Sequence, residues 1–254
     1  MISKNKQKLI RSLTQKKNRD ELNLFIAEGH KVVEELLPYF SCPFLAATPA
    51  FGLSHDVSKV VEHVEVSEKE LAQLSLQKSP QQVLALFEKR PFSYSVEQLC
   101  NIPRKELVLA LDCVQDPGNL GTIVRIADWF GIRHIFCSTD TADVYSPKTV
   151  QSTMGSLGRV CLHYLDLERW LTQLAPEVPR YGTFLEGDII TDVPLTDFGV
   201  IVMGNEGNGI RPEVERLVSR KLFIPRYPAD NGHPESLNVA VSTAIICQEF
   251  RRAR

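Results

Sequence analysis

Between residues 200 and 252 a short apolar run, a loop and a helix start occur twice in close succession. Val200 to Met203 reads as a buried strand. Gly204, Asn205, Glu206, Gly207, Asn208 and Gly209 then form a loop that admits a ligand closely, and a helix opens near Pro212. Leu222 to Ile224 is the next apolar run, Pro225 to Glu235 is loop, and an apolar helix starts at or near Ser236. Two strand-loop-helix turns so near each other predict one small-molecule pocket at the carboxyl ends of parallel strands.

The preceding residues support that sheet. Leu107 to Asp112 is a near-continuous apolar strand of the kind buried in a parallel sheet. Pro117 and Gly118 turn the chain, Gly121 allows tight packing, and a helix is expected over Thr122 to Phe130. Ile123, Ile126, Ala127 and Phe130 share one side of it, whereas Arg125 and Asp128 point elsewhere. HIFCS is a second strand, residues 146–158 a loop with a short helix, Trp170 and Leu171 helical, and Gly182 to Gly187 a strand. Strand-helix alternation at this spacing is the pattern of an α/β sheet.

The amino-terminal half reads as a smaller α/β unit. Residues 2–17 are expected as a helix, with Ile2, Leu9, Ile10 and Leu13 on one face. Leu22, Leu24 and Ile26 alternate as in a half-buried strand, and Gly29 marks a turn. Val32, Val33, Leu36 and Leu37 stripe the next helix, which Pro38 closes. FLAAT is a short strand, Ser67 and Glu70 have capping-box spacing ahead of Leu71 and Leu74, and Gln81 to Glu88 is a closing strand. Residues 91–105 lack a period and carry prolines near both ends, so they read as a linker. The expected division is 1–92, a linker at 93–105, and 106–254.

With 254 residues, 43% hydrophobic and 24% charged, the chain is of ordinary globular composition. A formal net charge of −2 argues against a wholly basic nucleic-acid coat, but Lys4, Lys6, Lys8, Arg11, Lys16, Lys17 and Arg19 all precede the first acid, Asp20. Such a start suits either a solvated helix face or a phosphate-contacting arm. Cys42, Cys100, Cys113, Cys137, Cys161 and Cys247 are scattered through apolar runs with no C-x-x-C pair, so buried free thiols are expected and no metal site is proposed. No apolar run reaches membrane-span length and no secretory signal is visible, which favours the cytoplasm.

The first βα turn reads D-P-G-N-L-G rather than G-x-G-x-x-G, and there is no P-loop, so an ordinary dinucleotide oxidoreductase is disfavoured. Single glycine-bearing turns mostly serve turn geometry. Here they carry Asn119, Arg125, Glu206, Ser236 and Asn238 in or just after βα loops, where an α/β fold collects its site. The ordered segments N-L-G-T-I-V-R, M-G-N-E-G-N-G-I, and I-P followed by S-L-N-V-A-V-S resemble the three signature motifs of the SpoU/TrmH family. These are RNA ribose 2′-O-methyltransferases of the SPOUT class. SPKTVQSTMGSL is similar to a further family block, with Gln151 and Ser152 where Arg-Ala is usual, and RYPADNGHPE is longer than the usual linker before Ser236. The likeness spans about 107–252, and more loosely the first ninety residues, which are similar to a substrate-binding domain often attached to the family.

The resemblance implies a parallel sheet with a carboxyl-terminal trefoil knot, behind a small α/β RNA-binding domain. It implies S-adenosylmethionine as cofactor, with the backbones of Gly204, Ile224 and Leu237 holding its adenosyl part. Arg125 matches the family's catalytic arginine, while Asn119, Glu206, Ser236 and Asn238 would orient it, the ribose and the loops. Ser236 and Asn238 sit where a helix cap is the simplest alternative, and His233 reads as a surface loop residue. The implied partners are ribosomal or transfer RNA and a second copy of the chain. A member that binds RNA without catalysis is the main alternative; the intact Arg125 and Asn238 argue against it.

Overall fold

The computed structural model describes residues 2–51, 60–91, 94–227 and 236–252. The chain divides into two compact units. One comprises residues 1–91 with 143–159; the other comprises 92–142 with 160–254.

In the first unit α1 (Lys4–Ser12), α2 (Lys16–Leu22), β1 (Leu24–Glu28), α3 (His30–Leu36), β2 (Phe44–Ala47), β3 (His63–Glu65), α4 (Glu68–Leu74) and β4 (Val83–Glu88) build a sheet of order β1-β4-β2-β3. β4 runs antiparallel to both its neighbours, so β1, β2 and β3 share one direction. Ile10, Leu13, Ile26, Phe44, Leu71, Leu74, Leu84 and Leu86 form the core between this sheet and its helices. The single helix expected over 2–17 is two. Ser12 Oγ and Thr14 Oγ1 donate to the carbonyls of Leu9 and Arg11, and such local bonds compete with helix continuation. Leu22 belongs to α2 and not to the strand, because Asn23 at φ +54 ends the helix in the left-handed region. The Ser67–Glu70 capping box forms as expected. β4 begins at Val83, after Gln82 at φ +57.

The second unit runs through α5 (Val96–Asn101), β5 (Leu107–Leu111), α6 (Pro117–Trp129) and β6 (His134–Ser138). The chain then leaves through α7 (Pro147–Thr153), which packs on β1 of the first unit, of which it is part. It returns as β7 (Cys161–Leu165), α8 (Leu167–Gln173), β8 (Arg180–Phe184), β9 (Asp188–Ile189), β10 (Gly199–Met203), α9 (Pro212–Glu215), β11 (Arg220–Phe223) and α10 (Val239–Arg251). The sheet order is β7-β6-β5-β10-β8-β11-β9, and every pair is parallel. β5 and β10 are buried along their whole length, as their unbroken apolar runs require.

In the second unit three boundaries differ from the sequence reading. The expected linker contains α5, whose Ser95–Gln98 capping box is an S-x-x-Q signal; six residues are too few to show a period. α6 starts at Pro117 and not near Thr122, because Asp116 accepts from the Asn119 backbone amide at 2.9 Å and Pro117 fits the first helical position. The strand expected at 182–187 is shifted to 180–184. Cys42, Cys137 and Cys247 are buried as expected, whereas Cys100, Cys113 and Cys161 are only half-buried; all six are free.

Segment 143–159 is tied into the first unit by polar contacts. Arg19, 3% exposed, donates to Asp143 and to the carbonyls of Leu13 and Thr14. Arg159 pairs with Glu35 at 2.7 Å, and Gly155 at φ +93 leaves no room for a Cβ against the Glu35 side chain. A buried guanidinium sharing its donors among a carboxylate and two carbonyls is satisfied, so it anchors without the cost of a lone charge.

In the second unit His163, 2% exposed, stacks on His134 with ring nitrogens 2.9 Å apart and meets the edge of Tyr94. Burial, then the neighbouring His134, holds its pKa down at about 4. The unfolded ring titrates near 6.5. Below that value the unfolded state therefore takes up a proton that the folded state refuses. Stability should be fully present above about pH 6.5 and fall towards pH 4, by on the order of 1 kcal/mol per pH unit. In His163→Phe, urea midpoints measured at pH 7 and pH 5 should differ less than in the wild type. An equal difference would place the acid sensitivity elsewhere.

Candidate active site

Three loops at the carboxyl ends of β8, β10 and β11 enclose a cavity of about 710 Å3. This is where an open parallel sheet exposes its strand-end backbone groups, and the volume suits a nucleoside-sized ligand. Thr183 to Glu186, Met203 to Ile210, and Leu222 to Ile224 line it, with Ser236, Leu237, Val239 and Ser242 closing the side next to α10. Of the residues singled out in the sequence, Gly204, Glu206, Ile224, Ser236 and Leu237 border this cavity.

The loop after β10 is folded back on itself. Asn205 and Gly209 exchange both backbone hydrogen bonds, at 2.9 and 3.0 Å, and Gly209 takes φ +70. A Cβ on Gly204 would land on the backbone of Gly209 and Ile210, so glycine is required there by contact rather than by torsion. Asn205 Oδ1 accepts from the amides of Gly207 and Asn208, and its Nδ2 donates to the Cys113 carbonyl at 2.8 Å.

Glu206 emerges from that loop and accepts from Asn119 Nδ2 at 2.8 Å. Asn119 Oδ1 accepts in turn from Asn238 Nδ2 at 3.0 Å. Asn238 also caps α10, its Oδ1 accepting from Ala240 and Val241 at 3.0 and 3.3 Å. The simple capping role and the network role thus coexist in one side chain, each on its own end of the amide. This chain of carboxylate and two amides links the starts of α6 and α10 to the loop after β10. Ser236 lines the cavity without entering the network, and His233 lies outside the described residues.

Arg125 stands apart. It is exposed on α6, two turns beyond Asn119, and is absent from the cavity lining. One chain therefore joins Asn119, Glu206 and Asn238 and leaves the arginine pointing outward. Four residues along the same face of α6, Trp129 is 84% exposed. On α10, which packs beside α6, Val241 is 50% exposed, and Leu237 just before it is 52% exposed.

Sequence reasoning missed an ion pair behind this network. Asp112, fully buried at the end of β5, accepts from the Arg211 backbone amide and Nε, both at 2.8 Å, and pairs with its guanidinium at 2.5 Å. Arg211 also reaches Asp140 at 3.3 Å. The clamp fixes the far end of the loop that carries Glu206, as Asn205 fixes the near end. Its signal was an aspartate closing an otherwise apolar strand. Arg211→Met would leave a buried carboxylate unpaired and should cost on the order of 3 kcal/mol. An unchanged urea midpoint would show that Asp112 finds another partner.

The profile of the SpoU rRNA Methylase family matches residues 106–248, and that of the MRM3-like substrate binding domain matches residues 4–85. The chain belongs to the SpoU methylase family. It is 31% identical over 250 residues to the 23S rRNA (guanosine(2553)-2′-O)-methyltransferase RlmP of Bacillus subtilis, covering 95% of this chain and 94% of that one. It is 30% identical to a tRNA (guanosine(18)-2′-O)-methyltransferase of Aquifex aeolicus, over 59% of this chain and 71% of the other. Among solved structures, an AdoMet-bound rRNA methyltransferase from Sinorhizobium meliloti superposes with a TM-score of 0.82 at 33% identity, over 99% of this chain and 96% of that one. As a SpoU methylase the chain has the SPOUT-type, mostly parallel sheet, with a substrate-binding domain ahead of it.

Proposed function

We infer that the protein transfers a methyl group from S-adenosylmethionine to a ribose 2′-hydroxyl of RNA. One observation carries this reading: the loops bearing the family's second and third motifs enclose one nucleoside-sized cavity, and the Glu206–Asn119–Asn238 chain joins them to the first. The cavity fits the cofactor. Gly204 lets the loop after β10 fold tightly onto itself at the cavity edge, and Ile224 and Leu237 offer apolar surface for a purine. When bound there, S-adenosylmethionine supplies a methyl already activated on a sulfonium. The protein's task is then to hold two reactants in line and to ease loss of the hydroxyl proton, and positioning alone is worth roughly 7–11 kcal/mol in favourable cases.

The assigned roles follow from chemistry. Arg125 stays protonated, so it acts as a donor to the adjacent phosphate and to the developing alkoxide rather than as a base, with the proton leaving to phosphate or water. Glu206, Asn119 and Asn238 fix the loops around the ribose, and Ser236 offers a hydroxyl at the cavity edge. Residues 106–254 are read as the methyltransferase domain, and 1–92 as an RNA-binding domain whose exposed Lys4, Lys8 and Lys17 suit phosphates.

Because Arg125 and Trp129 are exposed on α6 and Val241 is exposed on the adjoining α10, we propose that the working unit is a homodimer in which one chain's arginine completes the other's cavity. Ribosomal RNA is favoured over transfer RNA, since the likeness to the B. subtilis rRNA enzyme runs the full length and that to the tRNA enzyme does not. A cytoplasmic location accords with the free thiols and with the absence, among the described residues, of any helix long and apolar enough to cross a membrane. Incubating the protein and tritiated S-adenosylmethionine with ribosomal and transfer RNA from a strain lacking the gene should label one 2′-O position in ribosomal RNA. Label in transfer RNA alone would reverse the substrate assignment. No label in either, with cofactor binding intact, would favour a protein that binds RNA without catalysis.

A further inference from the structure

The first unit holds a cavity of its own, of about 640 Å3, that the methyl-transfer reading leaves unused. It lies at the carboxyl ends of β1 and β2, between the starts of α3 and α4 and the turn that enters β4. β4 runs antiparallel between β1 and β2, so its start at Gln81 and Gln82 meets their carboxyl ends there. Its lining is built for hydrogen bonding more than for apolar contact. Thr48, 5% exposed, is pinned through its backbone amide to the Gln82 carbonyl at 2.8 Å, and its buried hydroxyl has no hydrogen-bond partner among the described residues. Gln82 is held at φ +57, an unfavourable torsion for glutamine, and with Gln81 presents two exposed side-chain amides. Glu68 adds a carboxylate, and His30 a ring steadied by Glu34 at 3.1 Å and by the edge-on Phe51 ring.

These groups select a ligand class. The exposed Glu68 carboxylate at the cavity wall repels a phosphate there, and among the described residues no cluster of metal ligands exists. Amides paired with a carboxylate and a hydroxyl match the mixed donor and acceptor edge of a nucleobase, and an imidazole ring suits its flat face. The charge that such a base's backbone needs is supplied beside the lining. Lys31 follows His30, Lys69 follows Glu68, and Lys78 stands two residues before Pro80, all three exposed.

We propose that this cavity receives one unstacked base from a single-stranded segment of the RNA, with its amino edge on Glu68 and the amides of Gln81 and Gln82. The proposal rests on the reading of RNA as substrate. It adds a recognition site in the first unit, separate from the methyl-donor cavity, so that target choice and chemistry are served by different pockets.

The test uses the full chain and short unstructured RNAs carrying 4-thiouridine at successive positions. Irradiation should yield adducts that mass spectrometry assigns to peptides containing His30, Thr48 or Gln81. In Glu68→Gln/Gln81→Ala the affinity for these RNAs should fall about tenfold, as expected for losing charge-assisted base contacts. The salt slope of binding should stay the same, because no phosphate contact is removed. Heat of S-adenosylmethionine binding should not change. Lys31→Ala/Lys69→Ala/Lys78→Ala should instead flatten the salt slope and keep the adducts. Adducts confined to other peptides, or undiminished affinity in the double variant, would overturn the site. Adducts at the site in a protein that methylates no RNA would overturn the proposed function and leave the site standing. Methyl transfer with an unchanged KM for RNA in the double variant would do the reverse.

Discussion

Arg125→Ala is expected to bind S-adenosylmethionine with near wild-type affinity and to lose methyl transfer by two orders of magnitude or more. The first half rests on geometry: Arg125 is exposed and takes no part in lining the cavity between β8, β10 and β11, so deleting it leaves that cavity intact. The second half rests on its assigned role. An interaction made only in the transition state lowers kcat without touching ground-state binding. Loss of one charge-stabilising donor in such a site typically costs about 10²–10³ in rate. Isothermal titration with the cofactor and single-turnover methylation separate the two quantities. Retention of more than about a tenth of the wild-type rate would remove Arg125 from the chemistry. A matching loss of cofactor affinity would mean that the arginine serves the pocket instead.

That split between binding and chemistry is the part of the site that the sequence could not give in full. Motif order brought out Asn119, Glu206 and Asn238, and the structure joins them through two side-chain hydrogen bonds. Strand-end glycines announced the cavity, since Gly204 and Gly209 are needed where backbone folds onto backbone. The Asp112–Arg211 clamp and the Asn205–Cys113 bond stayed hidden, because their partners are 99 and 92 residues apart and no local period links them. Short elements were lost for a related reason. α5 has six residues, less than two turns, so its capping pair was a better signal than its apolar positions. The break between α1 and α2 came from hydroxyls bonding to nearby carbonyls, a competition that hydrophobic spacing does not register. Long-range placement was least legible of all. Residues 143–159 follow β6 in sequence yet pack with the first unit, through contacts such as Arg19–Asp143 that span 124 residues.

If two chains share each site, two inactive variants should repair each other. Arg125→Ala keeps its cavity and lacks the arginine. Gly204→Ala keeps the arginine but places a Cβ where the Gly209 and Ile210 backbones already stand, so the loop lining the cavity must shift and cofactor binding is expected to fail. In a random mixture half of the dimers are mixed, and each of those has one intact composite site of two, so activity should return to about a quarter of wild type. The physical ground is the outward face of α6 and α10. Trp129 on α6 and Val241 on α10 are 84% and 50% exposed, and burying one large apolar side chain is worth roughly 1.5–3 kcal/mol. Arg125 sits on the same face, so covering that face with a second chain also carries the arginine towards the partner. Sedimentation must show that each variant still pairs, and differently tagged chains must show that subunits exchange. Verified mixed dimers without activity would confine each site to one chain, and wild-type turnover by a species sedimenting as a monomer would exclude sharing. Trp129→Glu supplies the converse: a charge in the proposed interface should dissociate the dimer and abolish transfer together, while the cofactor still binds to the separated chains.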